Sequence, residues 1–155
     1  MYRPLVLLTA LSFVPPAFAG IEEGKEAYLR EDFATAEREW SSVATAGDAE
    51  AQYLLGALYY ENYGVAQDYG KAFYWFGLAA EQGLATAQYK VGAMYFWGHG
   101  VPADNVQARK WMNLAVIQGD RLAFKTMRLL HQRMTPEEME ESNRLVQEWK
   151  SAHAK

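Results

Sequence analysis

The sequence contains no cysteine, which excludes disulfides, thiolate metal sites and thiol catalysis together. It has no run of lysines or arginines either. With a formal charge of −4, a modest acidic balance, nucleic acid is not an expected partner. Only three histidines occur, His99, His131 and His153, none at the i, i+4 spacing of a helical zinc pair, and there is no HExxH. No metal site and no cofactor are expected. GxSxG is absent, as is a glycine-rich phosphate loop before a lysine. The acidic pairs Glu22-Glu23, Glu137-Glu138 and Glu140-Glu141 fall near helix starts or on outer faces. General acid and base work needs carboxylates that converge on one pocket with separated pKa values, so these are read as solvated charge. His99, in the turn GHGV, is expected to be a solvated loop residue, and His131 to sit near a helix end where a cation suits the dipole.

A long apolar run is missing too. The one uninterrupted stretch, PLVLLTALSFV at residues 4–14, is shorter than the roughly 20 residues a membrane helix needs. Pro15-Pro16 breaks any helix there. Preceded by Arg3 and followed by Ala17-Phe18-Ala19 before Gly20, the stretch has the order of a secretory signal cleaved after Ala19. The expected mature chain begins at Gly20, loses Arg3, and keeps 14 basic against 19 acidic groups. It would be exported, periplasmic or secreted, with no stable membrane anchor. At 155 residues and 50% hydrophobic, the chain has the size and apolar content of one domain with its own core.

What the chain has in abundance is itself. AQYLLGALYYENYGV, from Ala51 to Val65, returns as AQYKVGAMYFWGHGV from Ala87 to Val101. Residues 49–84 set above 85–120 pair without a gap, with identities at Gln52/Gln88, Gly56/Gly92, Tyr59/Tyr95, Gly64/Gly100, Asp68/Asp104, Ala72/Ala108, Trp75/Trp111, Gln82/Gln118 and Gly83/Gly119 among others. A fixed period in this range marks a solenoid, where each unit buries its apolar face only against its neighbours. Each unit reads as two helices. The first runs from about Ala49 to Glu61, with Ala51, Leu54, Leu55, Leu58 and Tyr59 at helical spacing and Gly64 as its stop. The second starts at the N-cap Asp68, repeated as Asp104 with a capping-box pattern to Gln107, and ends at Gly83 or Gly119. Gly56, Gly92, Ala57 and Ala79 are small, so neighbouring helices can approach closely. Tyr53, Tyr59, Trp75, Tyr89, Tyr95 and Trp111 are expected to fill the core between them.

The order A-x-x-x-L/V-G-x-x-Y, G-V-x-x-D, A-x-x-W-x-x-x-A, G resembles the Sel1-like repeat, a relative of the tetratricopeptide repeat. One departure is Gln107, where that pattern commonly has the lysine present here as Lys71. The resemblance implies an all-α, right-handed α/α superhelix. The flanks read as caps: residues 20–48, with Tyr28, Phe33, Ala36, Trp40 and Ala44, as a tetratricopeptide-like helix pair with a shorter turn, and residues 121–155 as a closing pair. Thr135-Pro136-Glu137-Glu138 is a strong helix start in the latter. About eight helices are expected.

Positions that diverge between the copies are free of the shared packing. On the first helix these are Glu50/Thr86, Leu54/Lys90 and Glu61/Trp97, one stripe by their spacing, with Tyr60/Phe96 beside it. By resemblance the first helices line the concave side. The candidate binding residues are therefore Glu50, Leu54, Tyr60, Glu61, Lys90 and Trp97, joined by Thr126 and Arg133 at the same period, with Tyr63 and His99 at one rim. The alternative is that Leu54 and Trp97 pack against the adjoining repeat.

The resemblance implies a non-enzymatic scaffold or adaptor that binds a partner protein or peptide, in a regulatory, assembly or immunity role. Recognition of cell-wall glycan by Tyr63, Tyr69 and Tyr74 is a second reading. A β-lactam hydrolase is a third and weaker one, since relatives tied to that activity are cysteine-rich and this chain has no cysteine.

Overall fold

The computed structural model describes residues 16–62 and 64–154. Most of the expected export signal and Tyr63 lie outside the described residues. Eight helices follow one another among the described residues: α1 (Pro16–Leu29), α2 (Phe33–Thr45), α3 (Ala49–Tyr60), α4 (Tyr69–Glu81), α5 (Ala85–Trp97), α6 (Asn105–Ile117), α7 (Arg121–His131) and α8 (Pro136–Ala152). No strand occurs among them. Each helix from α1 to α7 packs on the next in a zigzag, giving an odd-numbered and an even-numbered layer.

Starts and stops follow local chemistry. Asp32, Asp48, Asp68, Asp104 and Asp120 each accept a backbone N–H from the first turn of the helix they precede. The Asp104–Gln107 capping box does not form as a reciprocal pair: Gln107 N–H bonds to the Asp104 carboxylate, while Asp104 N–H donates to the Tyr95 carbonyl at 3.0 Å. Asp68 N–H does the same to Tyr59 at 2.9 Å. That bond pins each second helix to the end of its first. Thr135 and Glu138 do form the capping box, with Pro136 at the first helical position. The expected first pair begins four residues early, because Pro16 suits a helix's first turn and α1 runs through the Ala19–Gly20 junction.

Gly64 does not close α3, which ends at Tyr60 with Glu61 already extended. Gly98, in the left-handed conformation, closes α5 instead. Gly64 and Gly100 serve the loops. Both have positive φ, and a Cβ on either would fall within 2.3 Å of the first residue of the preceding unit's second helix, Phe33 or Tyr69.

Within each pair a glycine lets two helices meet. A Cβ on Gly24 would lie 2.3 Å from the Trp40 ring, on Gly56 2.8 Å from the Phe76 ring, and on Gly92 2.7 Å from Met112 and 3.0 Å from the Ala108 carbonyl. Ala36, Ala72 and Ala108 are fully buried at the matching level. Between pairs the joint is polar. Gln52, buried, donates to the Ala44 carbonyl at 3.1 Å and accepts from Gln82 at 2.8 Å. Gln88 repeats this with the Ala80 carbonyl at 3.2 Å and Gln118 at 2.8 Å. Both amides are satisfied inside an apolar setting, which is what makes their burial tolerable.

The C-terminal pair departs from the pattern. Arg128 stands where α3 and α5 carry Gly56 and Gly92, so a second helix cannot close on α7. Accordingly α8 rests on α6, and its packing with α7 is slight. Arg109 on α6 holds it, donating to the Asn143 side chain at 2.8 Å and the Met139 carbonyl at 3.3 Å, while Val146 is buried and Trp149 meets the edge of Trp111. Because α8 covers Trp111 and nothing equivalent covers Trp75, the first is buried and the second only half-buried. Phe124 on α7 is exposed.

Two pairs of substitutions test this packing by thermal or denaturant unfolding. Gly92→Ala is expected to destabilise by about 1–3 kcal/mol through overpacking against backbone. Gly77→Ala, with no atom within 4 Å of the added Cβ, is expected to stabilise by about 0.5–1 kcal/mol through helix propensity. Trp111→Ala should cost about 3–5 kcal/mol and the half-buried Trp75→Ala clearly less. Equal losses for the two tryptophans would contradict the placement of α8.

Candidate functional site

The exposed face of the odd helices divides into two halves. At the α1–α3 end, Leu54 and Glu61 border a cavity of about 390 Å³ with Tyr28, Leu29, Trp40, Ala57 and Leu58. Glu50 is engaged within the chain there. It bonds the Lys25 ammonium at 2.7 Å, and Glu22 bonds the same ammonium at 3.0 Å. Those two carboxylates, Glu50 first, raise the Lys25 pKa above the usual lysine value.

From α3 onward the face is cationic and aromatic. The Lys90 ammonium of α5 lies 5.1 Å from the centre of the Tyr60 ring on α3 and 6.0 Å from that of Phe76. Tyr60 in turn packs on Tyr69 at 5.1 Å. About two turns of α5 further on, Phe96 is buried with Trp97 edge-on against it at 4.7 Å, and the Arg133 guanidinium lies 4.8 Å over the Phe96 ring. Trp97 is 59% exposed, so it does not pack into the adjoining repeat. Leu54 does so in part, being half-buried against the core. Among the described residues neither Lys90 nor Arg133 forms an ion pair. Their charges lie on ring faces and stay open to an incoming carboxylate. Thr126 spends its hydroxyl on the Leu122 carbonyl of its own helix at 3.1 Å. The stripe therefore contains one cluster of Tyr60 with Lys90, a second of Phe96 and Trp97 with Arg133, and a cavity bordered by Leu54 and Glu61.

His99 is not the solvated loop residue its turn suggested. Its ring stacks on Tyr69, with centres 4.5 Å apart and planes within 6°, and Nδ1 is 2.9 Å from the Tyr60 hydroxyl. Burial first, then neighbouring Tyr69, raises the Tyr60 pKa, so the phenol keeps its proton. One loop is thereby clasped to the preceding repeat. The only sequence sign of this is the exchange of Tyr63 for His99 between copies, which looks like loop drift. Tyr69 is spent in the same stack and does not present a free face for sugar stacking; of the three tyrosines considered for glycan, only Tyr74 is both described and well exposed. His131, at the end of α7, accepts from Arg109 at 3.4 Å. No group of three histidines or carboxylates able to hold a metal occurs among the described residues.

Comparison with known proteins agrees with this architecture. The Sel1 repeat family matches residues 49–84 and 85–120. A protective antigen of uropathogenic Escherichia coli strains, which displays an SLR fold, superposes with a TM-score of 0.82 at 28% identity over 89% of this chain and 30% of its own. A Sel1 repeat protein from Oxalobacter formigenes does so with a TM-score of 0.68 at 35% identity over 74% of this chain and 34% of its own. The chain thus spans about a third of the length of each of these structures. No curated protein matches. The Sel1 repeat fold commonly serves as a protein-interaction scaffold and is generally non-catalytic. Residues 49–120 are two full Sel1 repeats, flanked by helices that continue the same stacking.

Proposed function

We propose that the protein is an exported, non-enzymatic adaptor that holds a partner protein, or a peptide segment of one, along the concave face formed by its odd-numbered helices. The observation that carries this reading is the pair of cation–aromatic clusters, Lys90 on Tyr60 and Arg133 on Phe96, with Trp97 standing exposed against Phe96. Exposed tryptophan and unpaired arginine are the residue types that dominate binding energy at interfaces. Lys90 and Trp97 are both placed by α5, and such rigid placement lowers the ordering cost of engaging them. The partner segment that suits this face carries carboxylates for Lys90 and Arg133 and an aromatic or aliphatic side chain for Trp97. Export rests on the amino-terminal signal pattern alone. Regulation of a sensor, assembly of a complex and neutralisation of an effector all fit such an adaptor.

The test is affinity capture of the tagged protein from its exported compartment after brief chemical cross-linking, with the Lys90→Glu/Trp97→Ala double variant in parallel. The expected result is one protein captured by wild type and reduced about tenfold or more by the variant. The variant's unfolding free energy should stay within about 1 kcal/mol of wild type, since Trp97 is exposed and Lys90 gives up only its cation–aromatic contacts. Capture that survives the double substitution would remove this face from consideration.

A further inference from the structure

The two ends of the stack differ in sign. α7 carries Arg121, Lys125 and Arg128 at spacings of four and three, a single stripe, and residues 121–136 contain no acidic residue in a chain of net charge −4. None of these three cations forms an ion pair among the described residues. The stripe occupies the side of α7 on which α3 and α5 receive their second helices, and it stays open because α8 rests on α6. Phe124, 59% exposed, takes the place of the buried Gln52 and Gln88 and stands beside the stripe; Ile117 at the end of α6 is exposed as well.

At the other end, α1 exposes Glu22, Glu23 and Glu26, followed on the same helix by Leu29, which is 81% exposed. Among the described residues Glu22 and Glu26 pair with Lys25 of α1 and Arg30 just beyond it, in solvent-exposed pairs at 3.0 and 3.7 Å. Such pairs contribute little and exchange readily for better ones. α1 and α7 lie at opposite ends of the zigzag and do not pack on each other, so the acidic end cannot satisfy the basic end within one copy.

We propose that a second copy of this chain covers α7: its α1 carboxylates meet Arg121, Lys125 and Arg128, and its Leu29 packs beside Phe124. The contact joins two different surfaces, head to tail, so it repeats at each new end and gives open chains of copies rather than a closed dimer. It leaves the Lys90 and Trp97 face of every copy free, and an adaptor assembled this way would present several such faces at once. Charge complementarity gives the contact its partner choice, and salt is expected to weaken it.

Sedimentation of the purified protein across a wide concentration range, at low and high salt, reads this directly. The expected result is a mass that rises past the dimer with concentration and returns to the monomer in high salt. Leu29→Asn and Phe124→Glu should each stay monomeric, with wild-type melting because both side chains are exposed. Mixed in equal amounts they should form a one-to-one complex that grows no further, since one retains an intact α7 end and the other an intact α1 end. A wild-type protein that is monomeric at every concentration would overturn the proposal. So would a dimer that the mixture fails to restore, which would mark a two-fold contact. Binding of anionic phospholipid vesicles that Phe124→Glu abolishes, without self-association, would assign α7 to a membrane surface instead.

Discussion

The arrangement depends on two buried amides. Gln52 and Gln88 sit in apolar surroundings, and each is satisfied only when three helices meet in one register: the end of the previous unit's second helix supplies a carbonyl, and the glutamine that caps the unit's own second helix supplies an N–H. A buried amide left unpaired costs about 1–3 kcal/mol, so slipping one unit against the next is penalised in a way that apolar packing alone would not penalise it. Register then sets the surface. Because α5 is held in step with α3, the Lys90 ammonium arrives over the Tyr60 ring and the His99 loop arrives against Tyr69. Where the amide is missing, at Phe124, regular stacking stops.

Much of this was legible in the sequence. Gly56 and Gly92 recur at one position because a close approach recurs there, and Asp68 and Asp104 recur because each second helix needs a cap. The candidate face follows from the converse argument: Leu54/Lys90 and Glu61/Trp97 differ between copies, and of these Trp97 is exposed on α5 while Leu54 is half-buried against the core. Gln52 and Gln88 were visible as identities, and a polar residue repeated on the buried stripe of a helix is the signal that could have revealed the joint.

What was not legible involves partners far apart in the chain. The placement of α8 on α6 depends on Arg109 reaching Asn143 and Met139, and on Arg128 blocking α7; none of this shows in helical periodicity. Trp75 and Trp111 are identical in sequence, yet only Trp111 has Trp149 across from it. His99 looked solvated because its contacts, Tyr60 and Tyr69, belong to the preceding unit. Glu50 looked available because its partner, Lys25, belongs to the flanking pair. In each case identity between copies describes the repeat, while the environment is set by what lies on either side of it.

The central claim is that the odd-helix face, and not the even-helix face, meets the partner. Trp97 on α5 and Tyr74 on α4 are equally exposed, each 59%, and lie on opposite layers, so they form a matched pair for a photo-reactive side chain installed in living cells. The account predicts a single cross-linked partner from position 97 and none from position 74. A partner captured from position 74, or the same one from both, would contradict it.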